Sequence, residues 1–213
     1  MRSICTVGNL RMIWNELTSR YTGNTSLVVE LWTEIEKKYT TKNRHHHNLA
    51  HLEYMVEKSF EYKSRLTDYD LVLFSIFYHD IIYNTKRPDN EQKSADTAKE
   101  RMTRLGVPTR KITHCQKQIQ ATKNHSHSSD NDTNYLLDFD LAILGESLDL
   151  YRTYSGNIRK EYSMFPDFLY NRGRKKVLQH FLSMDRIFKT DDFFDRYERQ
   201  AKENLKTELL ELS

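Results

Sequence analysis

The amino-acid sequence predicts an all-α protein that folds as a single-domain helical bundle over residues 1–213. Two observations lead to this prediction. Glycine and proline are scarce, with 6 and 3 residues, so the chain has little material for the tight turns that an all-β protein needs. Apolar residues also recur at the spacing of one face of an α-helix, and short polar segments separate one such stretch from the next.

The first clear helical pattern lies between Ser26 and Tyr39, where Leu27, Leu31 and Ile35 stand four residues apart. Further helices are predicted over residues 48–63, 67–83, 89–105, 109–123, 134–144, 147–165, 167–188 and 191–212. Capping residues stand at several starts, and glycine or proline follows several ends. We therefore expect about nine or ten helices, with those of residues 167–212 packing on a core of about residues 44–178.

Charge and cysteine content exclude several classes of protein. The net charge is +3, and acidic and basic residues are mixed along the chain, which predicts no nucleic-acid-binding patch. Only Cys5 and Cys115 are present, without CxxC spacing, so neither a disulfide framework nor a thiolate zinc site is indicated. No apolar stretch is long enough for a membrane span. We expect a cytoplasmic protein that does not bind membranes.

The stretch FSIFYHDIIY places His79 and Asp80 in one of the most apolar parts of the chain. Buried ionisable groups are normally paired, hydrogen-bonded or bound to a metal. Other nitrogen and oxygen ligands are available, because HHHNLAH puts His47 and His51 one helical turn apart. Asp140 lies in a second apolar stretch, LLDFDLAILG. Imidazoles and carboxylates together suit a divalent first-row metal.

Each of these features also has an ordinary structural interpretation. His47 and His51 can be two histidines at a solvated helix start, and Asp140 can be a cap or a salt-bridge partner. It is their order along an all-helical chain that favours a metal site.

The order H…HD…D, formed by His51, His79, Asp80 and Asp140, resembles the HD superfamily of metal-dependent phosphohydrolases. The chain is most similar to a group of small predicted phosphohydrolases in that superfamily, whose fold is of the cyclic-phosphodiesterase type. The matching segments run from Arg44 to Leu178 and read RHHHNLAHLEYM, FYHDIIYN, DNEQKSA, IQATKNH, LLDFDLAILG, IRKEY and GRKKVL.

The resemblance implies a hydrolase in which one or two divalent ions (Mn, Co, Ni, Fe, Mg or Zn) activate water against a small phosphorylated substrate, with a nucleotide as the expected class. Its predicted metal ligands are His51, His79, Asp80 and Asp140. Its predicted catalytic residues are His47 as proton donor, Asp80 and Glu91. A first-turn carboxylate that favours the helix dipole is the alternative for Glu91.

Four residues are predicted to bind the substrate. The resemblance places Lys123 and His125 where related enzymes bind substrate or a second metal. Arg159 and Arg174 carry planar guanidinium groups that can hold a phosphate by two hydrogen bonds, although Arg159 is equally well explained as part of a salt-bridged helix face.

Two other functions remain open at this stage. The first is a catalytically silent HD protein that binds a nucleotide or metal as a sensor or regulator. The second is an HD oxygenase with a di-iron centre, for which the spacing of His114, His125 and His127 forms no clear motif. Pairing into a homodimer through an apolar helix face also remains open.

Overall fold

The computed structural model describes residues 7–212, with side chains from Asn9 onward, and it is all-α, as the sequence predicted. Cys5 lies outside the described residues. Ten α-helices and two short 3-10 helices are present in the described part. The α-helices are α1 (Val7–Ser19), α2 (Thr25–Tyr39), α3 (Leu49–Glu61), α4 (Tyr69–Tyr78), α5 (Asn90–Arg104), α6 (Thr109–Ala121), α7 (Asn131–Leu141), α8 (Leu148–Glu161), α9 (Asp167–Ser183) and α10 (Asp191–Glu211). The 3-10 helices are Lys63–Arg65 and Ala142–Gly145.

The chain divides into two compact units, one ending at Leu136 and the other beginning at Leu137. The boundary falls inside α7, so that helix contributes residues to both units. The expectation of one domain over residues 1–213 stays a prediction. None of the described helices combines the length and the apolarity needed to cross a lipid bilayer.

The first unit is built around α4, which packs against α3, α5 and α6. Every residue from Leu71 to Tyr78 is buried, because the helix is apolar on all sides rather than amphipathic. Asp68 caps its start by accepting a hydrogen bond from the backbone N–H of Leu71. Trp14 packs edge-on against Phe77, which joins α1 to this core.

Helix α4 ends at Tyr78, five residues before the predicted end at Tyr83. The backbone beyond it is bonded to side chains instead of continuing the helix. The carbonyls of Asp80 and Ile81 accept hydrogen bonds from the guanidinium of Arg44, and the N–H of Ile82 donates to the hydroxyl of Ser94.

In the second unit, α10 packs against α9 and against the 3-10 helix Ala142–Gly145. Helix α9 ends at Ser183 rather than at the predicted Phe188. The backbone N–H groups of Ile187 and Phe188 donate to the buried carboxylate of Glu198, which binds this segment in a non-helical form. Asn204 of α10 donates to the carbonyls of Leu144 and Glu146 and so fixes the 3-10 helix.

Candidate functional site

Histidines of the first unit lie close together near the start of α3. Asn48 caps this helix by accepting a hydrogen bond from the backbone N–H of His51. The ring centroid of His51, which is buried, lies 4.7 Å from that of His46 and 5.9 Å from that of His47. His79, which follows α4 and is also buried, lies 5.3 Å from His51 by the same measure.

The carboxylate of Asp80 lies beside this histidine cluster. Its Oδ2 is 3.1 Å from Nε2 of His79 and 3.9 Å from Nε2 of His47. Arg44 holds the backbone here, with Nη1 of its guanidinium donating to the carbonyl of Asp80 at 2.7 Å and to that of His47 at 3.2 Å. His47, His51, His79 and Asp80 are therefore brought together within the first unit.

Three other predicted site residues of the first unit lie on its helix ends and loops. Glu91 stands in the first turn of α5. The ammonium of Lys123 donates to the carbonyl of Pro88 at 2.8 Å. His125 follows α6 and has a positive φ of 48°, a conformation that non-glycine residues rarely adopt outside turns.

Asp140 lies on the part of α7 that belongs to the second unit and is half-buried. Its neighbour Asp138 is fully buried and accepts hydrogen bonds from the backbone N–H groups of Lys189 and Thr190 and from the Thr190 hydroxyl. Burial raises the pKa of Asp138 to about 6, although these donors oppose the shift. Asp138 thus joins α7 to the start of α10.

Arg159 and Arg174 of the second unit are both bonded to protein groups. Arg174 is buried and forms two hydrogen bonds with the carboxylate of Glu208, at 2.7 and 2.9 Å. Arg159 donates to the carboxylate of Asp167 and to two backbone carbonyls at the corner between α8 and α9. The substrate-binding roles of these arginines stay predictions.

A cationic surface on α9 was not recognised from the sequence. An open depression of about 500 Å³ runs along this helix. The side chains that line it belong to Phe168, Asn171, Arg172, Lys175, Lys176 and Gln179. Within residues 9–212, none of its three cations has a carboxylate oxygen within ion-pairing distance. We call these residues the α9 cationic face.

The spacing of this face was visible in the sequence. Phe168, Arg172, Lys175 and Gln179 follow one another at intervals of four, three and four, which puts them on one side of a helix. Sequence reasoning instead selected Arg174 from the same NRGRKK segment, but that residue lies on the buried side of α9 with Tyr170. A helical projection would have shown that the other basic residues of this segment lie on the side opposite Arg174.

A family model described as ANTH domain matches residues 33–200. The match covers most of the chain and extends over both compact units. The chain belongs to the ANTH domain family. Searches of curated proteins and of solved structures found no match.

Membership of the ANTH family corrects the resemblance to the HD superfamily. That assignment rested on the order of His51, His79, Asp80 and Asp140, which short motifs in an unrelated helical chain can reproduce. The predicted hydrolase activity on a nucleotide is wrong, and the alternative of an HD-type sensor is not supported, because ANTH domains are binding domains and not phosphohydrolases.

The predicted cofactor and partners are corrected on the same ground. An ANTH domain does not depend on a divalent metal for activity, so the one or two predicted ions are withdrawn. The nucleotide substrate and the expected absence of membrane binding are likewise wrong as partner assignments. The individual roles given to His47, Glu91, Lys123 and His125 stay predictions, since no contact tests them. A cytoplasmic location also stays a prediction.

Proposed function

We propose that this ANTH domain is a binding module that attaches to phosphoinositide-containing membrane surfaces through the α9 cationic face. Membership of the ANTH family supports this class of ligand, because such domains are associated with phosphoinositide and adaptor binding in endocytic trafficking. The observation that carries the proposal is that exposed Arg172 and Lys176 and half-buried Lys175 line one depression and have no ion-pair partner among the described residues.

The charge of this face suits a multiply phosphorylated headgroup. A cation that is paired to a carboxylate must give up that partner in order to bind a phosphate. In the described part of the chain, these three cations have no carboxylate partner to give up. The amides of Asn171 and Gln179 line the same depression and add hydrogen-bond donors. Each Lys or Arg near an anionic membrane contributes about 1 kcal/mol, so three contribute roughly 3 kcal/mol, or about 100-fold in partitioning.

Co-sedimentation with vesicles tests the proposal. We expect the wild-type chain to bind phosphatidylcholine vesicles that contain a phosphoinositide more tightly than vesicles given the same charge by phosphatidylserine. The triple variant Arg172→Glu, Lys175→Glu and Lys176→Glu should lose at least about 100-fold in partitioning. Raising the salt concentration should weaken wild-type binding, because surface electrostatics are screened.

A matched control separates this face from net charge. The triple variant Lys42→Glu, Lys99→Glu and Lys206→Glu makes the same change in charge at exposed positions of three other parts of the chain. It should retain most of the binding to phosphoinositide vesicles. Equal loss in both triple variants, or no preference of the wild type for phosphoinositide, would contradict the proposal.

A further inference from the structure

Three exposed apolar side chains lie at the corner between α8 and α9. Phe168 is 77% exposed, Met164 54% and Leu169 46%. Single exposed apolar residues are common on soluble proteins. Three within one short segment, next to cations that have no ion-pair partner among the described residues, form a pattern typical of membrane-surface binding. Phe168 itself lines the same depression as the cations of the α9 cationic face.

Arg159 makes several contacts at the corner that carries these side chains. Arg159 donates from Nη1 to the carbonyl of Tyr162 at 2.9 Å and from Nη2 to that of Phe165 at 3.1 Å. The same guanidinium binds Oδ1 of Asp167 at 2.6 Å and lies over the ring of Tyr170. A corner held by a guanidinium at several points is pre-ordered, and pre-ordered groups lose less conformational entropy when they bind.

We propose that this apolar corner, with Phe168 at its centre, inserts into the boundary between headgroups and acyl chains of the membrane that the α9 cationic face binds. The inference rests on the proposed function and adds a second, apolar contribution to it. We identify the partner as a lipid bilayer because the apolar side chains lie next to cations. In a bilayer with anionic headgroups, the headgroup layer can bind the cations and the acyl-chain layer below it can take up the apolar side chains. Removing a phenylalanine side chain from water strengthens partitioning by roughly tenfold or more.

Tryptophan fluorescence tests the insertion directly. We expect the indole of a Phe168→Trp variant to shift its emission to shorter wavelength on phosphoinositide vesicles and to be quenched by lipids brominated near the headgroup end of the acyl chain. The native Trp14 and Trp32 are buried. Their background emission is measured on the wild-type protein. Leu210→Trp is the matched control, because Leu210 on α10 is 76% exposed; its emission should not change.

Affinity gives the second readout. Phe168→Ser should weaken vesicle partitioning by roughly tenfold or more, while Leu210→Ser should leave it unchanged. Both positions are exposed, so circular dichroism should report folded protein for every variant. If Phe168→Trp shows neither the shift nor the quenching while the Arg172, Lys175 and Lys176 variant still abolishes binding, insertion is refuted and the proposed function survives. If that charge variant binds like wild type, the proposed function itself fails.

Discussion

Arg159 and Asp167 form an ion pair across the corner between α8 and α9, with Nη2 2.6 Å and Nε 3.2 Å from Oδ1. The carboxylate is largely exposed, so the pair alone contributes little to stability. Arg159 contributes to stability mainly through the hydrogen bonds that it donates to two backbone carbonyls. The conformation of the apolar corner therefore depends on this guanidinium.

We expect Arg159→Ala to lower the free energy of unfolding by about 1–2 kcal/mol, because two carbonyls lose a charged donor. Amide hydrogen exchange over residues 162–168 should become faster, since these carbonyls help to order the turn. Arg152→Ala, which breaks an exposed pair with Glu211, is the control and should change stability by less than about 0.5 kcal/mol. Identical exchange in the two variants would contradict this account.

A larger effect is expected at Arg174, whose partner Glu208 is also buried. Arg174→Met leaves that carboxylate without its cation in a protein interior, which should cost about 3–5 kcal/mol of unfolding free energy. The double variant with Glu208→Gln should lose much less than the sum of the single losses. Chemical denaturation of all four proteins in a double-mutant cycle measures this coupling, and additive losses would show that the pair is independent.

Two glycines of the second unit should respond in opposite directions to alanine. A Cβ at Gly145 would lie 2.6 Å from Cβ and 2.7 Å from the carbonyl oxygen of Tyr197, so Gly145→Ala should destabilise by about 1–3 kcal/mol through overpacking. Gly156 lies within α8, with no atom close enough to meet a Cβ. Gly156→Ala should stabilise by about 0.5–1 kcal/mol. Thermal melts compare the two, and equal shifts would refute the contact at Tyr197.

Asp138 should make stability depend on pH in the mildly acidic range. Its pKa of about 6 in the folded protein lies above the ordinary aspartate value of 3.8, so the folded state holds this proton more tightly than the unfolded chain does. The resulting stabilisation is complete below about pH 4 and is lost as pH rises through about 6. Carboxyl carbon NMR can follow the titration directly.

The variant Thr190→Val provides the comparison for this titration. It removes the hydroxyl that donates to Oδ2 of Asp138, a bond that favours the ionised form. The midpoint of the Asp138 titration should therefore move to higher pH. A midpoint near 4 in the wild-type protein would refute the effect of burial.

The local pattern of the chain was sufficient for the secondary structure of most segments. The four-residue spacing of Leu27, Leu31 and Ile35 predicted α2, and the apolar stretch before His79 predicted α4 as a buried helix. Helix ends were less well predicted, because they depend on distant partners such as Arg44 for the segment after α4 and Glu198 for the segment after α9. These partners are not evident from local sequence.

Local sequence likewise predicted the fold class but not the family or the binding surface. The sequence correctly predicted that the protein is all-α, since helix formation follows from the periodicity of neighbouring residues. The order of His51, His79 and Asp80 along the chain led to the wrong family. These residues do lie close together in the fold, but their order along the chain does not define a reaction. The small net charge of +3 also gave no indication of the α9 cationic face.

Only the tertiary structure decided which cations face solvent. Packing against α10 buries Arg174 with Glu208 and turns Arg172, Lys175 and Lys176 outward, because a helix that buries one side must expose the other. It also decided the conformation of the corner at Phe168, where Arg159 contacts groups up to eleven residues away along the chain. The spacing of apolar residues along the chain therefore determines where helices form. The partners of buried charged residues determine which side of a helix is left exposed for binding.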